Sequence, residues 1–363
     1  MLRIMTIVGA RPQFVKVASI SKVIAENNGM SEILVHTGQH FDQNMSDIFF
    51  EEMAIPKPDY NLNIHSLGHG AMVGRQLEAI ENILIKDKPN MVLVYGDTNS
   101  TLAGSLAAAK LNIPIAHVEA GLRSFNRIMP EETNRVLTDH LSDLLFAPTQ
   151  NAKKNLLAEG VSGDKIFMIG DVMLDASLLF RKKSKKPLWF DDLRIPLNEY
   201  VLATVHRAEN TDNFDRLNSI FNGLASSNEE IILPLHPRTK DRLKEYKIKI
   251  AENIHVVNSV SYLEMIWLEN NCRIVCTDSG GVQKEAYFFE KPCVTMRDET
   301  EWVELVEEGW NNLVGTSSKA ISNGIKLASK PEQNNFLYGN GNAANEIIDI
   351  IMDTLVGFKD SSR

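Results

Sequence analysis

The chain reads as an α/β protein made of two doubly wound parallel sheets. Three observations predict this. Short runs rich in Val, Ile and Leu recur along the whole chain, and they are almost continuously apolar, as strands covered on both faces must be. Helical patterns separate these runs, and the alternation starts afresh in the second half. At about 100–200 residues per domain, 363 residues are enough for two domains.

The elements follow in order. Strands are predicted at Arg3–Val8, Glu32–His36, Met91–Tyr95, Ile113–Val118, Leu144–Ala147 and Lys165–Ile169. Phe14, Val15, Ala18, Val23 and Ile24 share one helical face, with Pro12 in the first turn. Ser100–Lys110 is Ala/Leu-rich and helical. The second array has strands at Tyr200–Val205, Glu230–Pro234, Ile254–Val257, Arg273–Cys276 and Pro292–Met296. Helices intervene near Asp215–Ala225, Thr239–Lys247, Tyr262–Asn270 and Val282–Phe289. Asn342–Leu355 reads as a terminal helix that returns to the first domain. The expected division is therefore 1–172 plus 343–363 against 173–342, with the basic Arg181–Pro187 stretch as a solvated connection. Gly68, Gly70 and Gly74 form the nearest approach to a glycine-rich fingerprint; they follow no strand and read as a loop.

Composition narrows the function classes. Lys and Arg total 38 against 47 Asp and Glu, a net charge of −9, which argues against a nucleic-acid-binding surface. The longest useful apolar run, Met91–Tyr95, falls far short of the ~18 residues of a membrane span. The apolar N-terminus is too short for a signal-peptide core and ends at Gly9, so it reads as a buried strand and the protein as cytoplasmic. Cys272, Cys276 and Cys293 lack partners at ligand spacing, so no metal site is expected and they read as buried thiols. A Walker lysine motif, His-Glu-x-x-His and Gly-x-Ser-x-Gly are all missing.

Chemistry is expected at the carboxyl ends of the strands, where open parallel sheets bind ligands. The first strand runs into Gly9-Ala10-Arg11-Pro12, and Arg11 and Lys16 add positive charge near a helix N-terminus. Gly96-Asp97-Thr98 follows another strand. His117-Val118-Glu119-Ala120-Gly121-Leu122-Arg123 places ionisable groups in a very apolar strand, where a carboxylate needs a partner or a task. Glu131 and Arg135 are four apart on one helical face, which is also the spacing of an ordinary exposed ion pair. The second half supplies His206-Arg207, His236 and Thr277-Asp278-Ser279-Gly280-Gly281. The last of these opens a helix with bare backbone N–H groups suited to a diphosphate, and Glu285 lies one turn on, where a ribose diol is held. Taken singly, each motif is equally a capped strand–helix turn. Asp97, Glu119 and Glu131 from one domain, with His206 and the Ser-Gly-Gly turn from the other, have the layout of a nucleotide-sugar site.

In this ordered set the chain resembles the non-hydrolysing UDP-N-acetylglucosamine 2-epimerases. The resemblance implies the GT-B architecture: two Rossmann-like domains with the active site in the cleft between them. It also implies a homodimer that needs no redox cofactor. Ala10 and Gln13 stand where the commoner family form has Thr and Glu, and Gly170-Asp171-Val172 where it has Gly-Asn-Thr. These departures, with His36-Thr37-Gly38-Gln39-His40-Phe41-Asp42, are similar to the branch that epimerises UDP-2,3-diacetamido-2,3-dideoxyglucuronate for bacterial surface polysaccharide such as O-antigen. UDP-N-acetylglucosamine stays open as the alternative substrate. By resemblance, Asp97, Glu119, Glu131 and His206 are catalytic. Arg11, Lys16, Arg135, Arg207, His236, Ser279, Gly280, Gly281 and Glu285 bind UDP and its diphosphate. Gln39 and His40 contact substrate or a second, activating sugar nucleotide. A GT-B glycosyltransferase is the reading from another class, but it has no use for clustered carboxylates at C2; a sugar-nucleotide sensor has none either.

Overall fold

Strand β1 (Leu2–Val8) is buried at six of its seven positions, which only a central strand with both faces covered can be. It lies in the middle of a seven-stranded parallel sheet. Residues 1–39, 55–332 and 335–361 are described by the computed structural model, leaving out the side chains of Arg11 and of residues 358–361. The chain divides into two units, Met1–Ala176 with Phe336–Arg363, and Ser177–Asn335.

In the first unit, β1 is followed by α1 (Arg11–Glu26), β2 (Met30–His36), β3 (Tyr60–Asn61), α2 (His69–Asp87), β4 (Met91–Tyr95) and α3 (Asn99–Lys110). Then come β5 (Ile115–Val118), α4 (Pro130–Leu141), β6 (Leu144–Ala147), α5 (Gln150–Ala158), β7 (Ile166–Met168) and α6 (Val172–Arg181), which runs across the division. The strand order is β3-β2-β1-β4-β5-β6-β7. Winding reverses between β1 and β4, so their carboxyl ends frame a switch point. Met5 and Ile7, Ile33 and Val35, and Val92 and Val94 alternate onto one face and pack on Ile80, Ile83 and Leu84 of α2 and Ala103 and Ala107 of α3.

The expected loop around Gly68–Gly74 is instead the start of α2. Met72, Gln76, Ile80, Ile83 and Leu84 form its buried stripe, and nothing lies within 4 Å of a Cβ placed on Gly70 or Gly74. Burial of that stripe outweighs glycine's cost of about 1 kcal/mol per residue in a helix.

In the second unit come β8 (Val201–Thr204), α7 (Ala208–Thr211), α8 (Phe214–Ser226), β9 (Ile231–Pro234), α9 (Pro237–Glu245), β10 (Ile254–Val257) and α10 (Tyr262–Asn271). They are followed by β11 (Ile274–Thr277), α11 (Gly280–Phe288), β12 (Cys293–Thr295), α12 (Val303–Glu307), β13 (Asn311–Leu313) and α13 (Ser318–Leu327). The order β10-β9-β8-β11-β12-β13 puts the switch between β8 and β11. Val201 and Ala203 enter one core while Tyr200 and Leu202 enter the other, so successive residues of β8 serve opposite faces. The three cysteines are buried and unbridged in this unit. Helix α14 (Ala343–Ser361) belongs to the first unit and packs on α1. Among the described residues no helix is long and apolar enough to cross a membrane.

Candidate active site

At the first switch point, Gln13 ties the two strand ends together. Its Oε1 accepts the N–H groups of Gly9 (2.8 Å) and Ala10 (3.0 Å), while its Nε2 donates to Tyr95 O (2.8 Å) and to the hydroxyls of Thr98 and Thr101. An ionised Glu has no proton for Tyr95 O, so the amide is the side chain that satisfies both ends at once. Gly9 is required here for space rather than for a positive φ, since a Cβ would lie 2.1 Å from Ser100 Oγ. Gln39 Oε1 accepts Ser100 N–H (3.1 Å) and Ser100 Oγ–H (2.8 Å) at the start of α3.

Three turns then meet. Asp97 follows Gly96, whose φ of +59° favours glycine. Glu119 follows β5 with φ +70°, a strained value for a residue with a side chain. A Cβ on Gly96 would sit 3.2 Å from Glu119 Oε2 and 3.6 Å from Lys16 Nζ, so the Asp97 turn and the Glu119 carboxylate are adjacent. Lys16 Nζ donates to Glu119 Oε2 in an ion pair with both side chains 9% exposed. Arg135 Nη2 donates to Asp97 Oδ2, and Asn134 Nδ2 donates to Asp97 O at 2.9 Å. Burial pushes the Asp97 carboxyl above the usual range; Arg135 and Lys16 pull it down, while Glu119 and Glu131 push it up. Asp97, Glu119 and Glu131 thus form one interacting set of carboxylates with two cations beside them.

Two cations of this cluster take partners that the sequence spacing does not give. Arg135 does not pair with Glu131 four residues back; it bonds Asp97 and approaches Glu132 Oε2 at 3.4 Å, because tertiary partners on the inner side of α4 outcompete the exposed helical spacing. Lys16, expected beside a diphosphate, donates here to the Glu119 carboxylate, which ties that cation to the carboxylate turn. His40 and the Arg11 side chain lie outside the described residues.

At the second switch point the carboxylate points inward. Asp278 is fully buried at the end of β11 and accepts His206 N–H (3.1 Å), Arg207 N–H (3.0 Å) and Asn210 Nδ2 (3.1 Å). Its Oδ1 also lies 3.6 Å from His206 Nδ1, which orients the imidazole of a side chain that is 39% exposed. The His206 and His236 rings lie 5.7 Å apart between centroids, and His236 Nδ1 accepts Arg238 N–H (3.2 Å), leaving Nε2 as its donor. Ser279 caps α11 without a side-chain cap bond, and the space beside Gly281 is open. Gly280 is held on the other side: a Cβ there would meet Glu301 Oε1 at 2.2 Å, and Trp302 Nε1 donates to Gly280 O at 2.9 Å. Glu301 bonds Arg297 (2.7 Å); Arg297 and Arg207 hold its carboxyl below the usual range against the burial that would raise it. Glu285 is buried and accepts the Tyr262 hydroxyl (3.1 Å), and burial pushes its carboxyl up. Asp278, Arg297 and Glu301 were not singled out from the sequence; for Asp278 the signal was present, an acid directly after a buried strand.

Two Rossmann-like units, one presenting carboxylates at its switch point and the other cationic and N–H groups, define a GT-B protein built for an activated sugar. The chain belongs to the UDP-N-acetylglucosamine 2-epimerase family, whose model matches residues 22–352. It is therefore an isomerase, a non-hydrolysing epimerase of UDP-sugars. It is 54% identical to a UDP-N-acetylglucosamine 2-epimerase homolog of Methanococcus maripaludis, covering 96% of this chain and 99% of that protein. It is 52% identical, with the same coverage, to the UDP-2,3-diacetamido-2,3-dideoxy-D-glucuronate 2-epimerase of Pseudomonas aeruginosa. The Methanocaldococcus jannaschii UDP-GlcNAc 2-epimerase, solved with UDP-GlcNAc and UDP, superposes with a TM-score of 0.84 at 44% identity, over 97% of this chain and 99% of that one.

Proposed function

We propose that the protein inverts C2 of UDP-2,3-diacetamido-2,3-dideoxyglucuronate by eliminating UDP and adding it back. The observation that carries the chemistry is the pair of carboxylates Glu119, bonded to Lys16, and Asp97, bonded to Arg135, with Glu131 near enough for its charge to raise Asp97. The C2 proton has no adjacent carbonyl, so no side chain removes it directly. Breaking the C1–O bond sends its electron pair to the diphosphate, and the positive charge that develops at C1 acidifies C2–H. A carboxylate takes that proton as the C1=C2 bond forms, which leaves a glycal and UDP. Protonation of C2 on the opposite face, with re-addition of UDP oxygen to C1, completes the inversion. Proton transfer on two faces calls for two groups of different protonation state, and a raised Asp97 beside a Lys-paired Glu119 fits that need.

In this reading His206, Arg207 and the Ser279-Gly280-Gly281 turn stabilise the diphosphate as its charge grows, and Glu285 receives the ribose. The 52% identity to the Pseudomonas aeruginosa enzyme over nearly the whole chain supports the diacetamido uronate. The 44% identity to a UDP-GlcNAc-bound structure favours UDP-N-acetylglucosamine as the second reading. Incubation with each sugar in deuterated water, followed by NMR at C2, separates them. Deuterium at C2 of both epimers is expected, with the higher kcat/KM for the diacetamido uronate. No C2 deuterium from either sugar in folded protein refutes the epimerase mechanism.

A further inference from the structure

Behind the carboxylate cluster lies a buried charged chain that the proton chemistry above does not use. His117, on β5, is fully buried with both ring nitrogens engaged. Nε2 lies 2.7 Å from Gly96 O, which can only accept, so Nε2 carries a proton. Nδ1 lies 2.7 Å from Asp139 Oδ1 on α4. The other Asp139 oxygen accepts Gly121 N–H at 3.1 Å and Arg123 Nη1 at 2.7 Å. Arg123 in turn grips both oxygens of Glu159, each at 2.7 Å. Against the burial that would raise it, His117 and Arg123 hold the Asp139 carboxyl below the usual range, so it accepts from every side.

The geometry of these bonds is specific to the two turns above it. Residues 117 and 121 both end on Asp139, one through its ring and one through its backbone N–H. Glu119 lies midway between these two anchors and takes the φ of +70° that spans them. Gly121 has no freedom to drift, because a Cβ would lie 2.4 Å from Ala152 O and its own carbonyl accepts Asn155 Nδ2 at 3.0 Å. Through His117 the same carboxylate also reaches Gly96 O, one residue before Asp97. A single buried group therefore touches the support of both acid/base turns.

We propose that Asp139 is the positioning residue for C2 proton transfer: it fixes Glu119 through Gly121 and His117, and fixes Asp97 through His117 and Gly96. The proposal rests on the epimerase reading. Misplacement of a reacting group by about 1 Å is enough to cost ~100-fold in rate. In the proposed mechanism the diphosphate and ribose are met by His206, Arg207, the Ser279-Gly280-Gly281 turn and Glu285, all in the other unit, so UDP affinity is expected to survive the loss of this support.

The test compares Asp139→Ala, Asp139→Asn and His117→Ala by C2 deuterium exchange, kcat, KM and calorimetric UDP binding. Asp139→Ala removes both anchors and is expected to lower kcat and C2 exchange by ~100-fold with UDP affinity unchanged. Asp139→Asn restores most of the loss, because its amide donates to a neutral His117 and its carbonyl oxygen accepts Gly121 N–H. His117→Ala frees the Gly96 side and one of the two Glu119 anchors, leaves Gly121 on Asp139, and falls between the two. If Asp139→Ala fails to fold by circular dichroism, His117→Ala carries the test, and an unchanged kcat there overturns the proposal. A folded Asp139→Ala with full kcat, equal damage from Asn and Ala, or parallel loss of kcat and UDP affinity also overturns it. Absence of C2 exchange in the unsubstituted enzyme refutes the epimerase reading instead.

Discussion

The two switch points solve one structural problem in opposite ways. Each must tie together the ends of neighbouring parallel strands from which the winding diverges. Between β1 and β4 the tie is a neutral amide, Gln13, and the nearby carboxylates Asp97 and Glu119 face cations instead. Between β8 and β11 the tie is itself a carboxylate, Asp278, turned inward onto the His206 and Arg207 amides. A carboxylate occupied by backbone N–H groups is an anchor, with little left to offer a proton. One paired with cationic side chains instead, as Asp97 and Glu119 are, has the partners of a reagent, the role the proposed mechanism gives it. The difference teaches that an acid at a strand end gains its role from its partners, not from its place in the fold.

The largest effect should come from the reagent side. Glu119→Gln keeps the size and loses the charge, and turnover is expected to fall by roughly 10²–10⁴-fold while calorimetric UDP binding is retained. Equal loss of turnover and UDP affinity breaks the contrast and makes Glu119 an anchor like Asp278. Next in size is the anchor itself. Asp278→Asn replaces one of the two acceptor oxygens with an NH2 group, so part of the His206, Arg207 and Asn210 donor set is left unsatisfied, at about 1–3 kcal/mol. That predicts roughly a 10–100-fold weaker UDP affinity, with kcat falling alongside it. A variant that binds UDP normally but has lost turnover shows that Asp278 belongs with the reagents.

Much of this contrast was legible in the sequence, and its failures have physical causes. Strands such as Met91–Tyr95 stood out because burial on both faces leaves no polar position to break the run. The turns after them stood out because polar residues directly after such a run must serve as caps or as site residues. Helix α2 was hidden by glycines at its start, although Met72, Gln76, Ile80, Ile83 and Leu84 recur at helical spacing further along. The edge strands β3 and β13 are two and three residues long and carry too little pattern to read. The choice of Arg135 for Asp97 rather than Glu131 was illegible for another reason: sequence spacing reports neighbours on a helix, and the winning partner comes from a different strand end.

The smallest prediction tests a further buried carboxylate that, like Asp278, has backbone donors. Asp175 on α6 accepts Ala344 N–H at 2.8 Å, at the start of α14, and its Oδ2 finds no hydrogen-bond partner among the described residues. Burial raises its pKa from 3.8 to about 6, and the Ala344 and Ala343 amides offset only part of that. The folded chain therefore holds this proton more tightly than the unfolded one. Its stabilising contribution is complete below about pH 4 and is lost as the pH rises through about 6. A shift of about two units is worth up to ~3 kcal/mol, borne by the folded state at neutral pH. Asp175→Asn keeps an acceptor for Ala344 and never ionises, though its NH2 group gains no partner, so a net gain of ~1–2 kcal/mol is expected at pH 8. Urea unfolding of both proteins from pH 4 to pH 8 reads the difference. A gain that grows between about pH 4 and pH 6 and levels off above means that a buried carboxylate with too few donors holds its charge at a cost to the folded state. A gain of equal size at pH 4 assigns the effect to packing and removes Asp175 from the comparison.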